Sequence, residues 1–329
     1  MILVTGGAGF IGSNIIAGLN EAGRADVVAC DLLRAGSKWQ NLRKRALADI
    51  VPPEELAAWL PGRRLDAVIH MGANSSTMAS DGDEVMRRNF RFSLMLLDWC
   101  TASQVPFLYA SSAATYGDGA QGYDDDAAWP ALRALRPLNL YGWSKHLFDQ
   151  AVAARRAAGQ PLPPLCCGLK FFNVYGPNEQ HKGAMRSVVH KVFETLSRGD
   201  TVELFRSHRP DYADGEQRRD FVFVGDVVAV VLFLLARGPG GEDTPPLLNV
   251  GAGQARSWLD LVRAVGAAMG REVTPRFIDI PESIREKYQY HTLAGLDRLR
   301  GAGWNAPMTS LETGVAHTVA VLAGADPYR

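Results

Sequence analysis

Residues 2–12 read Ile2-Leu3-Val4-Thr5-Gly6-Gly7-Ala8-Gly9-Phe10-Ile11-Gly12. The apolar run at the start predicts a buried strand, and the glycines after it predict a tight turn that leads into a helix. Because Gly6, Gly9 and Gly12 carry no side chains, the turn can close, the backbone can approach a pyrophosphate and the helix can pack on the strand. The N-terminus of that helix would then face the phosphates. The stretch therefore predicts the first turn of a dinucleotide-binding sheet.

A second apolar run predicts a strand at 26–31, and its last residue is Asp31, 19 positions beyond Gly12. An acid at this spacing can accept hydrogen bonds from a ribose, which favours dinucleotide binding over an ordinary glycine turn. Asp31 would repel a 2′-phosphate, whereas Lys38 in the loop that follows could pair with one. The residues alone therefore leave NAD and NADP both open.

The composition sets broad limits on the fold and the partners. The chain has 329 residues, of which 47% are hydrophobic, so it can bury a substantial core as one large domain or two unequal ones. Basic and acidic residues number 35 each, and this zero net charge gives no reason to expect nucleic acid or an anionic membrane as a partner. Four cysteines without Cys-x-x-Cys spacing predict reduced core residues, and we expect no metal site. The chain begins on a strand and has no apolar run of about 18 residues, so we expect a cytoplasmic protein.

Apolar strand-like runs alternate with longer helical patterns over the first half of the chain. Strands are predicted at 2–5, 26–31, 67–71, 106–111 and 166–172, and helices at 11–23, 53–60, 83–103, 142–158 and 185–198. This alternation predicts an α/β fold with a Rossmann-like, doubly wound parallel sheet that is covered on both faces. The looser pattern after about residue 175 predicts a smaller C-terminal α/β lobe that binds the substrate.

We therefore expect a nucleotide-binding domain at 1–175 and a mainly substrate-binding lobe at 176–329, with 225–250 as the segment able to return to the sheet. Later strands are predicted at 201–205, 220–224 and 247–250, and later helices at 225–237, 257–268 and 309–323. Residues 117–136 are rich in Gly, Asp and Ala and predict a surface excursion.

Tyr141 and Lys145 lie four residues apart in a predicted helix, which places them on one face. A nearby ammonium stabilises a phenolate and lowers the pKa of the tyrosine, so the pair could exchange a proton with a substrate hydroxyl. The spacing alone is weak evidence, because both residues are common on amphipathic helices. Ligands of open α/β sheets bind beyond the carboxyl ends of strands, where Ser112, residues 71–76 and residues 173–183 also fall.

Several of these segments together carry a family resemblance. The glycine turn, residues 111–117, Tyr141 with Lys145, and residues 173–177 resemble the extended short-chain dehydrogenase/reductase superfamily across essentially the whole chain. More narrowly, residues 111–117, 137–145, 172–177, 181–183, 219–226 and 287–289 resemble the ADP-L-glycero-D-manno-heptose 6-epimerase family. This family makes the activated heptose of bacterial lipopolysaccharide.

The resemblance implies a redox epimerisation, in which hydride leaves C6 of an ADP-heptose and returns to the other face of a transient ketone. It implies that Tyr141 and Lys182 are acid/base residues, one for each epimeric hydroxyl. Lys145 would hold the nicotinamide ribose and lower the pKa of Tyr141, and Ser112 would hydrogen-bond the reacting oxygen. The family uses NADP while carrying an acid and a lysine in equivalent places, so NADP is expected and NAD is the alternative.

The same resemblance implies which residues surround each ligand. The cofactor site is expected to include Gly6, Gly9, Phe10, Ile11, Gly12, Asp31, Leu32, Lys38, Met71, Gly72, Ala73, Asn74, Ser75, Asn89, Lys145, Val174 and Lys182. The nucleotide-sugar is expected to meet Ser112, Asn173, Ala184, Lys191, Phe205, Arg219 and Tyr288. Ala184 and Lys191 depart from the family pattern, which often has serine and histidine at these places. Arg219 has an independent argument, since a guanidinium can bind a diphosphate through two hydrogen bonds.

Other functions stay open at this point. A nucleotide-sugar 4-epimerase would share the glycine turn and Tyr141 with Lys145, but it would not need Lys182. A cofactor-sensing protein would keep the fold, although it would need no proton-transfer residues. A 4,6-dehydratase is disfavoured, because Ala113 and Ala114 stand where that relative carries an Asp-Glu pair. The family forms oligomers, so a homo-oligomer is expected.

Overall fold

The computed structural model describes residues 1–238, 244–285 and 288–329. Its strands are β1 (Ile2–Thr5), β2 (Val27–Cys30), β3 (Asp49–Val51), β4 (Ala67–His70), β5 (Phe107–Ser112), β6 (Cys166–Phe171), β7 (Asn173–Tyr175), β8 (Glu203–Phe205), β9 (Arg218–Phe223), β10 (Leu247–Val250), β11 (Ala255–Ser257) and β12 (Arg276–Ile278). Its α-helices are α1 (Phe10–Glu21), α2 (Pro53–Trp59), α3 (Gly82–Met86), α4 (Phe92–Ser103), α5 (Trp129–Ala134), α6 (Leu140–Ala157), α7 (Val188–Ser197), α8 (Val224–Arg237), α9 (Trp258–Ala268), α10 (Glu282–Arg285), α11 (Asp297–Gly301) and α12 (Leu311–Leu322). Lys287 of the family motif at 287–289 lies outside the described residues.

One large sheet organises the molecule. In the described part of the chain, seven parallel strands run in the order β10-β6-β5-β4-β1-β2-β3. The strand order reverses beside β1, so the crevice between the ends of β1 and β4 is the switch point at which such sheets bind ligands. The doubly wound parallel sheet predicted from the sequence is confirmed.

Helices cover both faces of this sheet, which explains why its strands are almost wholly apolar. Successive residues of β1 point to opposite faces. Val4 lies in one hydrophobic cluster with Ile16 of α1 and Val228 of α8. Leu3 lies in a second cluster with Phe148 of α6. The sheet is therefore held by two separate cores, one on each face.

The C-terminal part of the chain has a third core. Strands β7, β9 and β11 form a small sheet, β8 pairs with β12, and α7, α9 and α12 pack around them. β10 instead pairs with β6, with Leu247 opposite Gly168, so the chain returns to the large sheet after α8. The division into 1–175 and 176–329 stays a prediction.

Three local features differ from the sequence predictions. The sequence does not predict β3, because three residues are too few to give a periodic signal. The predicted helix 83–103 contains a π-helical turn at Arg87–Arg91. The predicted surface excursion 117–136 contributes α5 and the buried Asp125. Asp125 accepts a hydrogen bond of 2.6 Å from the Asn249 N–H, which anchors the excursion on β10.

The cysteines behave as the sequence predicts. Cys30, Cys100, Cys166 and Cys167 are all buried and unpaired. Burial raises the pKa of the Cys166 thiol to about 12, so it stays protonated and unreactive at neutral pH. Across the described ranges, no helix has the length and apolar character needed to cross a membrane.

The substitution Gly12→Ala tests the close contact between α1 and the turn before it. A Cβ at this position would overlap the carbonyl oxygen of Gly6, so the helix would have to move. We expect the free energy of unfolding in urea to fall by about 1–3 kcal/mol, the usual range for overpacking. Gly301→Ala is the control, because nothing lies within 4 Å of the added Cβ in α11. Equal effects in the two variants would contradict this role of Gly12.

Candidate active site

The glycine turn between β1 and α1 lies at the switch point of the sheet. Gly6 has a φ of 65°, which favours glycine, and its carbonyl accepts a hydrogen bond of 2.9 Å from the Gly9 N–H. A Cβ on Gly6 would lie 2.7 Å from the backbone nitrogen of Gly72. No side chain caps the N-terminus of α1, so none competes for the N–H groups of its first turn. The turn therefore fits the pyrophosphate of a dinucleotide.

Asp31 and Lys38 form an ion pair at the end of β2. Oδ1 of Asp31 lies 2.5 Å from Nζ of Lys38. The carboxylate also accepts hydrogen bonds from the backbone N–H groups of Ala8, at 2.9 Å, and Leu32, at 2.7 Å. The acid and the lysine, whose signals conflict in the sequence, are therefore partners in the structure. Lys38 neutralises the carboxylate that would otherwise repel a 2′-phosphate.

Asn89 ties the loop after β4 to α6. Its amide forms two hydrogen bonds with the backbone of Asn74, at 2.7 and 2.9 Å, and donates a third to Oγ of Ser144 at 2.9 Å. Asn89 is fully buried in the π-helical turn, and such turns are frequent at functional sites. Residues 71–75 are therefore held beside α6. Within that loop Met71, Gly72, Ala73 and Asn74 are half-buried and Ser75 is exposed.

Ser112 and Tyr141 meet where β5 ends and α6 begins. Asn139 caps α6 by accepting a hydrogen bond of 2.8 Å from the Gly142 N–H. A Cβ on Gly142 would lie 2.7 Å from the carbonyl oxygen of Ala114, so the helix packs closely on the segment after β5. This packing places the Ser112 hydroxyl close enough to the Tyr141 phenol to influence its pKa.

Burial raises the pKa of Tyr141 above its ordinary value of 10.0, and the nearby Ser112 hydroxyl opposes this rise. The predicted direction, a pKa lowered by Lys145, is wrong for this structure. Removal of the phenol from water dominates, while Nζ of Lys145 donates a hydrogen bond of 2.8 Å to the Ala110 carbonyl oxygen. Burial also lowers the pKa of Lys145 to about 8, against the attraction of Asp149.

A buried ion pair that the sequence analysis missed lies beneath these residues. Nζ of Lys170 in β6 lies 3.2 Å from Oδ2 of Asp149 in α6, and neither side chain is exposed. Asp149 also accepts a hydrogen bond from Ser111 Oγ, and Lys170 donates one to Thr115 Oγ1, each at 2.7 Å. These contacts join the elements that carry the candidate catalytic residues. The signal in the sequence is a lysine within the apolar run at 166–172.

Lys182 lies in a 3-10 helical segment, Gln180–Met185, that follows β7. Its Nζ lies 3.2 Å from Oε2 of Glu179, a fully buried carboxylate, and 4.9 Å from the centre of the Phe10 ring. The lysine side chain is 23% exposed. Lys182 is therefore held between a buried acid and the first turn of α1, unlike a freely solvated surface lysine.

Other predicted residues lie less deeply in the site. Ile11 and Val174 are half-buried, and Asn173 is exposed at the start of β7. Ala184 and Lys191 are also exposed. Within the described residues, neither of these last two joins a hydrogen-bonded group around Tyr141 or Lys182, so their substrate contacts stay predictions.

Arg219 lies in an aromatic cluster in the C-terminal part of the chain. Its guanidinium carbon lies 5.2 Å from the ring centre of Tyr288 and 5.7 Å from that of Trp258. Trp258 Nε1 donates a hydrogen bond of 2.9 Å to the Tyr288 hydroxyl, and the ring centres of Phe205 and Tyr288 are 6.0 Å apart. Burial lowers the pKa of Arg219 from its ordinary value of 12.5, but a guanidinium stays charged at neutral pH. The structure thus brings three predicted substrate residues together and adds Trp258, which no sequence motif marks.

Comparison with known proteins agrees with this geometry. The NAD dependent epimerase/dehydratase family matches residues 2–251. The chain is 48% identical, over 335 residues and 100% of both chains, to the ADP-L-glycero-D-manno-heptose-6-epimerase of Nitratidesulfovibrio vulgaris. The crystal structure of the Helicobacter pylori ADP-L-glycero-D-manno-heptose-6-epimerase is similar, with a TM-score of 0.76 and 27% identity over 97% of this chain and 94% of that one. The Thermus thermophilus UDP-glucose 4-epimerase in complex with NAD has a TM-score of 0.75 and 27% identity over 98% and 99% of the two chains. The dinucleotide turn, the Ser112 and Tyr141 pair and these full-length matches show that the chain belongs to the NAD dependent epimerase/dehydratase family.

Proposed function

We propose that this protein interconverts ADP-D-glycero-D-manno-heptose and ADP-L-glycero-D-manno-heptose by transient oxidation at C6. The observation that carries the proposal is the meeting of Ser112 and Tyr141 beside a dinucleotide-binding turn, with Lys182 held near the same turn. The identity of 48% to a full-length relative of that name supports the choice of sugar. The division at 1–175 and 176–329 and the homo-oligomeric state belong to this proposal.

The chain supplies the proton chemistry and the positioning. A bound nicotinamide nucleotide would supply a hydride acceptor and donor. Tyr141 exchanges a proton with the C6 oxygen while Ser112 hydrogen-bonds that oxygen, and Lys145 holds the ribose of the nucleotide. Lys182 exchanges a proton with the C6 oxygen of the opposite epimer. Two acid/base groups suit an epimerisation, because the hydroxyls of the two epimers point in different directions from one carbon.

The nucleotide end of the sugar is assigned to the cluster around Arg219. A guanidinium can bind the diphosphate through two hydrogen bonds. The faces of Phe205, Trp258 and Tyr288 offer apolar surface for a nucleoside. With the nucleotide bound at the Arg219 cluster, the sugar would extend toward Tyr141. We place Asn173, Ala184 and Lys191 along that path.

Two alternatives receive less support. A 4-epimerase agrees with the similarity to the Thermus thermophilus enzyme, but that identity is 27% against 48% for the heptose epimerase relative. A cofactor-sensing protein would have no need for a buried lysine and a tyrosine paired with a serine at a strand end. Turnover of a UDP-sugar without any requirement for Lys182 would favour the 4-epimerase.

The cofactor is assigned as NADP. Lys38 and Asp31 form a partly buried pair at the end of β2, where the ribose of the adenosine half would lie. A bound 2′-phosphate can form an ion pair with the Lys38 ammonium in place of Asp31. The backbone N–H groups of Ala8 and Leu32 then continue to donate hydrogen bonds to the Asp31 carboxylate. The same carboxylate can accept from a ribose hydroxyl, so NAD is expected to bind more weakly rather than not at all.

The substitution Lys38→Ala tests this cofactor assignment. We expect the Kd of NADP to rise at least tenfold, about 1.4 kcal/mol, because one charge-assisted contact is lost. The Kd of NAD should change less than about twofold. Titration calorimetry on protein stripped of nucleotide measures both constants. Lys44→Ala, which removes an exposed lysine paired with Asp326, is the control. Equal weakening of both nucleotides by Lys38→Ala would contradict the assignment.

The reaction itself is tested with ADP-D-glycero-D-manno-heptose, following the configuration at C6 by NMR. We expect the L-glycero product to appear with the unmodified protein. Tyr141→Phe and Lys182→Ala should each slow its formation at least about 100-fold, the lower end of the range for a positioned acid/base group. Lys44→Ala should leave the rate within about twofold. If no product forms with either NADP or NAD supplied, the heptose assignment fails.

The pKa of Lys145 predicts how the activity depends on pH. The ammonium holds the ribose, and burial lowers its pKa to about 8, so kcat should fall as the pH rises through about 8. Stability should change in the opposite direction, because between about 8 and the ordinary value of 10.5 the unfolded chain binds more protons than the folded one. A pH series of initial rates and melting temperatures measures both. Constant activity up to about pH 10 would contradict the role of the Lys145 ammonium.

A further inference from the structure

A continuous series of buried hydrogen bonds, which we call the internal chain, runs from the cofactor turn to α6. It consists of Gly72 N to Thr5 Oγ1 at 3.1 Å, Thr5 Oγ1 to His70 Nδ1 at 2.6 Å, His70 Nε2 to Ser93 Oγ at 2.7 Å, Ser93 Oγ to Asn89 O at 2.7 Å, Asn89 Nδ2 to Ser144 Oγ at 2.9 Å, and Ser144 Oγ to Tyr141 O at 2.7 Å. Its side chains are those of Thr5, His70, Asn89, Ser93 and Ser144, and none is more than 1% exposed. The series ends on the backbone of the candidate catalytic tyrosine.

The Asn89 carbonyl fixes the direction of the bond between His70 and Ser93. Ser93 has one hydroxyl proton and donates it to the Asn89 carbonyl, so it can only accept from His70, which must carry a proton on Nε2. In a neutral ring with its proton on Nε2, Nδ1 carries no proton and accepts from the Thr5 hydroxyl, which itself accepts from the Gly72 N–H. We therefore assign His70 as neutral, with Nε2–H as donor and Nδ1 as acceptor. Each group in the chain uses its proton once, and no member lacks a partner.

The surroundings of His70 also disfavour a charged ring. Its ring lies 5.7 Å from that of Phe92 and 6.0 Å from that of Phe107, centre to centre. Lys145 is the charged group that acts on it, and burial together with this ammonium lowers the pKa of His70 well below 6.5. An uncharged ring keeps the direction of the chain constant across the neutral range.

The internal chain connects the ends of the paired strands β1 and β4 with the first turn of α6. It starts at the end of β1 and β4, passes through the π-helical turn where Asn89 leaves the α-helical register, and reaches the first turn of α6. A hydrogen-bonded chain in a dry interior is rigid, because an unpaired member costs about 1–3 kcal/mol. The geometry points to one consequence: His70 and Ser93 are positioning residues that fix α6, and with it Tyr141, relative to the cofactor turn. The effect on catalysis rests on the proposed function, whereas the proton positions do not.

The first test needs neither substrate nor cofactor. NMR of ¹⁵N-labelled histidine reports the tautomer and the charge of each ring. We expect His70 to stay neutral with its proton on Nε2 from about pH 5 to about pH 8, through the range where exposed histidines titrate. A proton on Nδ1, or a ring that becomes charged near pH 6, would overturn the direction of the chain and the inference with it.

The second test compares two substitutions in one helix. Ser93→Ala removes a hydroxyl that bonds both the carbonyl four residues earlier and His70. Thr101→Val removes a hydroxyl of α4 that bonds only the Leu97 carbonyl, also four residues earlier. We expect Ser93→Ala to lower kcat at least about tenfold with KM for the ADP-heptose nearly unchanged, and to raise the deuterium isotope effect at C6, because hydride transfer becomes slower. Thr101→Val should change none of these, and Ser93→Thr, which keeps the hydroxyl, should restore kcat.

The outcomes separate the two proposals. If the unmodified protein does not act on the heptose, the proposed function fails, and the NMR result still decides the internal chain. If it acts and Ser93→Ala matches Thr101→Val in kcat, KM and isotope effect, the positioning role is overturned. The positioning role is also overturned if the loss of kcat merely tracks a loss of melting temperature that Thr101→Val shares. Ser144→Ala, which breaks the last link at α6, provides a second variant if Ser93→Ala does not fold.

Discussion

The site depends on a contact between two backbones, those of the turn after β1 and of the loop after β4. There is no room for a side chain between them, since a Cβ on Gly6 would lie 2.7 Å from the nitrogen of Gly72. The hydrogen bond from the Gly72 N–H to Thr5 Oγ1, at 3.1 Å, holds the two segments together. α1 leaves from one side of this contact and the loop that meets Asn89 leaves from the other. The close approach of the turn after β1 to the loop after β4 therefore depends on glycine at position 6.

Several ionisable groups are buried around that contact, and each has a different kind of partner. Lys170 and Asp149 neutralise each other without any exposure, so their mutual attraction offsets the cost of leaving water. Within the described residues, the Ala110 carbonyl is the direct hydrogen-bond partner of Lys145, and burial lowers the pKa of Lys145 to about 8. Tyr141 is neutral, because burial raises its pKa and outweighs the opposing influence of the Ser112 hydroxyl. Proton loss from the buried phenol is therefore less favourable than from a tyrosine in water.

The sequence predicts the parts of this arrangement that depend on periodicity and on short-range spacing. The apolar runs in the sequence predict the strands of the large sheet. The glycines after β1, which have no side chains, predict the tight turn at Gly6. The pKa of Tyr141 could not be predicted, because spacing shows that Lys145 shares its helix face but not that desolvation dominates. The partnership of Lys170 with Asp149 and the place of Trp258 beside Arg219 depend on contacts between residues far apart in the chain. A lysine in an apolar strand is the sequence signal for the Lys170–Asp149 pair, whereas no sequence signal marks Trp258.

The position of Lys182 suits the second acid/base role that the proposed epimerisation gives it. One helix end would present Tyr141 to one side of the reacting carbon, so the second group would come from another element. The segment Gln180–Met185 follows β7 and places Lys182 against Phe10 in the first turn of α1. Glu179 fixes the segment from below, accepting a hydrogen bond of 2.7 Å from the Ser187 N–H while it pairs with Lys182. A buried carboxylate with two such partners costs less to keep charged than an isolated one, so the same residue can anchor the loop and hold the lysine in place.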